Sequence, residues 1–266
     1  MPPAFGGPLG DAAALHLGEH LPEPVGLCDL QFDAADVVVV GQQAANVVAG
    51  ERRPAGPLHD VADEVRAADF EPDVVVALAR GGWFGGRCLC DFLGLDDLTS
   101  LKMEHYVGTG EKADEPQIRY PMPEGSVEGK DVLVIDDIAD TGGSIRRANE
   151  YVTDRDPATV RTATLQLLGT SEFEPGFVGE RLEEWTWVVY PWNFIEDMID
   201  LTGGVMEKAD QERFGREDLR HYLAEYHDID RIGMEIAQPD RLDEVLAEME
   251  RRGVAERTAG DRWQLA

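Results

Sequence analysis

The run Val134-Ile-Asp-Asp-Ile-Ala-Asp-Thr-Gly-Gly-Ser144 holds the residue types that could grip a phosphorylated sugar. Two adjacent carboxylates, Asp136 and Asp137, can accept hydrogen bonds from vicinal hydroxyls such as the 2′ and 3′ pair of a ribose. Their charge would also favour an oxocarbenium-like sugar in a transition state. The Thr141-Gly142-Gly143-Ser144 half does different work. Its glycines let the backbone approach a ligand closely. Free N–H groups at a helix start, together with the hydroxyls of Thr141 and Ser144, can wrap a phosphate. A capped turn with acids facing solvent is the plain alternative. It fits less well, because an apolar strand, two acids, a third acid at Asp140 and a Thr-Gly-Gly-Ser turn coincide in one stretch.

These residues need elements to hold them. Asp131–Ile135 reads as a buried strand leading into the loop, and a helix is expected from about Ser144 to Thr153. Asp73–Leu78 is another continuous apolar run, as expected for a strand covered on both faces. Arg80-Gly-Gly82 follows it, then a helix from about Phe84 to Leu93 with Gly94 as its stop. His59–Ala68 carries Val61, Val65 and Ala68 on one helical face. Leu98–Tyr106, Val160–Leu168 and Thr186–Tyr190 read as further strands, and Gly108–Pro123 as a long polar loop. Strand–helix alternation implies an α/β fold with a parallel sheet, and ligands bind such sheets beyond the carboxyl ends of the strands.

The Val134–Ser144 stretch resembles the phosphoribosyl-pyrophosphate signature of the type I phosphoribosyltransferases. The resemblance implies that fold, with Asp136 and Asp137 on the ribose hydroxyls. Asp140 would be the general acid/base near N7 of a purine, and Thr141, Gly142, Gly143 and Ser144 would hold the 5′-phosphate. Leu78-Ala-Arg-Gly-Gly82 is similar to the family's pyrophosphate loop, which places Ala79, Arg80, Gly81 and Gly82 on pyrophosphate and implies a non-proline cis peptide near Ala79-Arg80. The planar Arg80 cation suits that ligand. Tyr106–Tyr120 would be a lid. Trp187-Val-Val-Tyr-Pro-Trp192 resembles the base-binding segment of bacterial xanthine-guanine and archaeal purine enzymes. Trp187 would then stack on a purine, the Val188 backbone would read the base edge, and Trp192 is expected as a core or interface aromatic. Purine enzymes of this group carry a Lys after the third strand. Leu167-Leu-Gly-Thr-Ser171 has none, which weakens the choice among hypoxanthine, guanine and xanthine.

The implied partners are phosphoribosyl pyrophosphate and a purine base, converted to a nucleoside monophosphate and pyrophosphate in purine salvage. The implied cofactor is Mg²⁺, carried by substrate oxygens with Asp136 and Asp137 as its protein contacts rather than by a site built from protein alone. Homo-oligomers are also implied by the resemblance. It covers roughly residues 57–200.

Composition bounds the rest. In 266 residues there are 53 acids against 24 bases, a formal charge of −29 and a pI near 4.4. Such a surface suits a concentrated-salt cytoplasm, where charges are screened within about 3 Å at 1 M; a halophilic source is expected from it. The balance argues against broad nucleic-acid binding, which needs a positive face. No apolar run approaches the ~20 residues that span a bilayer, and the first 51 residues contain no Lys or Arg to flank a secretory signal. A cytoplasmic protein is expected. Cys28, Cys88 and Cys90 make no disulfide framework, and Cys88 and Cys90 read as buried helical thiols.

Three regions are expected: a weakly patterned extension (1–56, with Val37–Val40 as a short strand), a phosphoribosyltransferase domain (57–204) and a C-terminal module (205–266). In the last, Glu217–Tyr226 and Asp240–Arg252 read as helices. The second has an apolar face of Leu242, Val245, Leu246 and Met249, is stopped by Gly253, and precedes a hairpin around Thr258–Asp261. The order suggests a winged-helix-like module. A second reading follows, a ligand-sensing regulator of the same fold whose module contacts DNA. The module's 16 acids against 10 bases count against it.

Overall fold

The structure is a computed structural model, and it describes residues 38–40, 56–104, 107–108, 111–112, 116–183, 187–190, 192–227 and 241–266. Cys28 and the 105–106, 109–110 and 113–115 parts of the expected lid lie outside the described residues.

A six-stranded sheet has the order β6-β3-β2-β7-β8-β9. Its strands are β2 (Val74–Ala79), β3 (Leu98–Glu104), β6 (Gln117–Tyr120), β7 (Asp131–Ala139), β8 (Thr159–Leu168) and β9 (Phe177–Leu182). All neighbours run parallel except β6, which lies antiparallel on the β3 edge. Part of the expected polar loop is thus an edge strand, with Ile118 supplying an apolar contact to the core. Two short strands, β4 (Val107–Gly108) and β5 (Glu111–Lys112), pair as a small hairpin.

The sheet is covered on both faces, which explains its unbroken apolar strands. Val75 and Ala77 of β2, with Leu133 and Ile135 of β7, face α1 (Pro57–Ala67) and α2 (Gly82–Leu93), which contribute Val61, Val65, Leu89 and Cys90. Val74, Val76, Leu78, Val132 and Val134 point the other way, onto Ala148 and Val152 of α3 (Gly143–Thr153). Alternate residues serve opposite layers, so a one-residue slip of register would invert both cores. Each such side chain contributes about 1.5–3 kcal/mol by leaving water. Proline at the first turn starts α1, and left-handed Gly94 closes α2. Burial pushes the Cys90 thiol up to about 11, whereas Cys88 is only half-buried, in contrast to the expectation for it.

Two expectations are corrected. First, β7 does not stop at Ile135 but runs on to Ala139, so Asp136 and Asp137 lie within the strand, in its carboxyl-terminal half. Pairing with β8 holds the extension, with Asp136 opposite Thr164 and Ile138 opposite Gln166. Second, Trp187–Val189 (β10) is a strand outside the main sheet; it pairs antiparallel with β1 (Val38–Val40). The expectations for the sequence omit β9 and the helix α4 (Phe194–Lys208).

The apolar side of α4, with Met198, Leu201, Val205 and Met206, builds a separate core. Its other walls are α5 (Arg216–His227), α6 (Arg241–Arg252) and the hairpin of β11 (Ala255–Thr258) and β12 (Arg262–Leu265). The boundary expected at 204/205 falls inside α4. Among the described residues, no helix is long and apolar enough to cross a membrane.

Candidate active site

Two loops leave neighbouring parallel strands at their carboxyl ends. The first, Ala79–Gly82, follows β2; the second, Ala139–Gly143, follows β7. The Ala79–Arg80 peptide is cis, as the family resemblance implied. The first loop packs directly on the carboxyl-terminal half of β7, the strand from which the second loop leaves. A Cβ built on Gly82 would lie 2.7 Å from the Ile135 carbonyl oxygen and 2.9 Å from the Asp136 Cα. A Cβ on Gly81 would overlap the Asp137 carboxylate. Only residues without a side chain let the first loop approach β7 so closely.

Asp137 is held at both ends. Its carboxylate accepts from the Trp192 indole N–H (3.2 Å) and from the Ile138 amide (3.0 Å). Its backbone carbonyl lies 3.0 Å from the Tyr190 hydroxyl, which also reaches the Gln166 side-chain oxygen. Asp137 is buried, at 7% exposure, whereas Asp136 keeps part of its surface. Burial and the Asp137 charge raise the Asp136 carboxyl well above the usual carboxylate range. Burial raises Asp137 as well, against the Trp192 hydrogen bond. Burial also raises the Tyr190 phenol, which stays neutral.

Asp140 stands exposed at the turn, where its carboxylate accepts from the Thr170 hydroxyl at 2.9 Å. Gly142 is left-handed, with φ +75°, and a Cβ there would also crowd the Ser171 Oγ at 2.5 Å. Its place as N-cap leaves no side-chain cap on α3. The opening amides of that helix, beside Thr141, Gly143 and Ser144, form a ready anion cradle. Arg80 is mostly exposed and pairs with Glu196 of α4 at 2.6 Å.

The structure therefore brings Ala79–Gly82, Asp136, Asp137 and the Asp140–Ser144 turn to one strand edge. The base segment is divided. Val188 is buried in the sheet core, while half-buried Trp187 packs against the C-terminal core and donates to the Asp197 carboxylate. Trp192, expected as a core or interface aromatic, packs against the sheet core and in addition donates to the Asp137 carboxylate. Sequence reasoning also passed over Thr170, Tyr190 and Glu196. The Pro-Trp at the end of the base segment was the available signal for Trp192; long-range partners such as Glu196 left none.

A family model described as phosphoribosyl transferase domain matches residues 59–194, just over half of the chain. The chain belongs to this family. Its members share the type I phosphoribosyltransferase fold seen here. Among solved structures, a purine phosphoribosyltransferase from Pyrococcus horikoshii is 26% identical, covering 51% of this chain and 86% of its own, with a TM-score of 0.45. A Neisseria gonorrhoeae hypothetical protein with bound ppGpp is also 26% identical, covering 52% of this chain and 82% of its own, at 0.45. A hypoxanthine phosphoribosyltransferase from Staphylococcus aureus is 24% identical, covering 47% and 73%, at 0.40. No curated protein matches.

Proposed function

We propose that this chain transfers the 5-phosphoribosyl group of phosphoribosyl pyrophosphate to a purine base. One observation carries the reading: the Ala79–Gly82 loop and the Asp140–Ser144 turn leave adjacent strand ends, with the Asp137 carboxylate of β7 seated on Gly81. A pyrophosphate at the first loop and a 5′-phosphate at the second would then bracket a sugar at the aspartates. The base is assigned as a purine from the likeness of the Trp187–Trp192 segment, with Trp187 and the Val188 backbone as its contacts.

In the reaction a base nitrogen bonds to C1′ as the C1′–O bond to pyrophosphate breaks, and the leaving group departs towards Arg80 and the amides of Gly81 and Gly82. Asp136 and Asp137 hold the ribose hydroxyls and favour the positive charge developing on the sugar. Asp140 takes the ring proton near N7 that the base gives up. Thr141–Ser144 anchor the phosphate, which fixes C1′ in place.

Mg²⁺ suits the donors present. Asp136 and Asp137 offer hard carboxylate oxygens, and burial makes their paired charge costly without a cation nearby. Bound with the sugar donor, Mg²⁺ would neutralise the departing pyrophosphate. The tail, helix–helix–hairpin, is read as a winged-helix-like module serving packing or subunit contact.

The test is pyrophosphate release from phosphoribosyl pyrophosphate and Mg²⁺ with hypoxanthine, guanine, xanthine, adenine and pyrimidine bases in turn. Turnover with a 6-oxopurine, lost in Asp140→Asn, is the expected result. Turnover with none of the bases would overturn the reading, turnover restricted to a pyrimidine would overturn the choice of a purine, and turnover restricted to adenine would overturn the choice of a 6-oxopurine.

A further inference from the structure

Trp192 lies outside the two loops, yet it touches both sides of their junction. Its indole N–H donates to Asp137 Oδ2 at 3.2 Å. Its ring stacks on Phe84 of α2, the helix that opens directly after the first loop, at 4.6 Å between centroids and 21° between planes. It also stacks on Tyr190 at 4.6 Å and 11°. Tyr190 in turn holds the Asp137 backbone carbonyl. One short segment therefore grips Asp137 by side chain and main chain, while leaning on the helix that carries Gly82.

The Asp137 carboxylate also has no room to move towards Gly81, since even a methyl group there would overlap it. Against rotation away from Gly81 stand two hydrogen bonds, from the Ile138 amide to Oδ1 and from the Trp192 indole to Oδ2. Two flat ring contacts fix the indole, so the donor is pre-placed.

We infer that Trp192 is a positioning residue for the sugar donor: by hydrogen bond and ring stack it holds the Asp137 carboxylate against Gly81 and keeps the two loops in register. This rests on the function proposed above. The residue acts through Asp137 and does not touch the base, so its loss is felt by one substrate and not by the other.

The experiment compares wild type, Trp192→Phe and Trp192→Leu in the full chain, with Kd for phosphoribosyl pyrophosphate in the presence of Mg²⁺ from calorimetry, and KM for both substrates. Trp192→Phe removes the donor while keeping a flat, smaller ring in the stack. Hydrogen bonds to charged groups contribute about 1.5–3 kcal/mol, hence a rise of roughly tenfold or more in that Kd. KM for the base should stay within about twofold, and Tm within a few degrees. Trp192→Leu, which also removes the stack, should weaken donor binding further. Should Trp192→Phe be too unstable to measure, Phe84→Leu tests the stack from the other side, with the same selective rise expected. Wild-type affinity in Trp192→Phe, or equal losses for base and sugar donor, would overturn the inference. If wild type itself ignores phosphoribosyl pyrophosphate, the function proposed above has failed instead.

Discussion

The Thr170 hydroxyl sits 2.9 Å from the Asp140 carboxylate and 3.0 Å from the Asp140 backbone carbonyl. Thr170 lies two residues past β8, within the Leu167–Ser171 stretch that holds no lysine. In place of a long cation directed at a base, the chain has a short donor directed at its own proposed general acid/base.

Thr170→Val keeps the shape and removes the donor, so Asp140 becomes free to rotate. Steady-state assays should show kcat falling about tenfold, with KM for the sugar donor unchanged, in line with loss of one exposed hydrogen bond to a charged group. Thr170→Ser should retain most of the activity. Full activity in Thr170→Val would show that Asp140 needs no such support.

Gly81→Ala forces a methyl group into the Asp137 carboxylate. The backbone there is ordinary, at φ −58°, so the effect is one of space alone. Stability measured in urea should fall by about 1–3 kcal/mol, and binding of the sugar donor by far more than in a control. Gly94→Ala is that control. Nothing lies within 4 Å of its Cβ position, but φ is +71°, so it should cost about 1–2 kcal/mol while leaving binding intact.

Asp197 gives a pH prediction. Burial, then the Glu196, Asp200 and Asp137 charges, raise its carboxyl to about 7, against the hydrogen bond from Trp187; its Oδ2 has no partner. The folded chain thus holds this proton more tightly than the unfolded chain, where the group titrates near 4. The associated stability is complete below that value and is lost as pH rises through about 7. Urea titrations from about pH 4 to about pH 8 should show a decline that is shallower, by roughly one proton's worth of slope, in Asp197→Asn. Parallel curves for the two proteins would mean that Asp197 titrates alike in the folded and unfolded chains.

Met249 of α6 has no exposed surface and packs in the C-terminal core. Met249→Ala should cost about 2–5 kcal/mol of unfolding free energy. A cost below about 1 kcal/mol would mean that this core is loosely filled.

The layered sheet was readable because its strands are buried on both faces, and runs such as Val74–Leu78 and Val132–Ile135 have no other plausible use. The two loops proposed to bind ligand were readable for a related reason: Gly81, Gly82 and Gly142 occupy positions where a Cβ would collide with a neighbouring strand or loop. The α6 stripe of Leu242, Val245, Leu246 and Met249 matched its burial residue by residue. By contrast, the end of β7 was misjudged because two aspartates look like a strand's exit. Pairing with β8 across Asp136–Thr164 and Ile138–Gln166 outweighs their low strand preference. β9 was overlooked because Phe177–Leu182 has only half its residues buried and carries Glu180 and Arg181. The role of Trp192 depends on a partner 55 positions away, which periodicity cannot reveal.

Helix α4 starts two residues after Trp192 and continues unbroken to Lys208, with its apolar side facing the last sixty residues of the chain. Anyone trimming this protein for crystallisation should heed that continuity. A fragment ended near 204 would sever the helix before its final turn, remove Val205 and leave Met198 and Leu201 wetted, a few residues from the indole that steadies Asp137. Recombinant versions intended for ligand work should therefore keep the tail, whatever other task it performs.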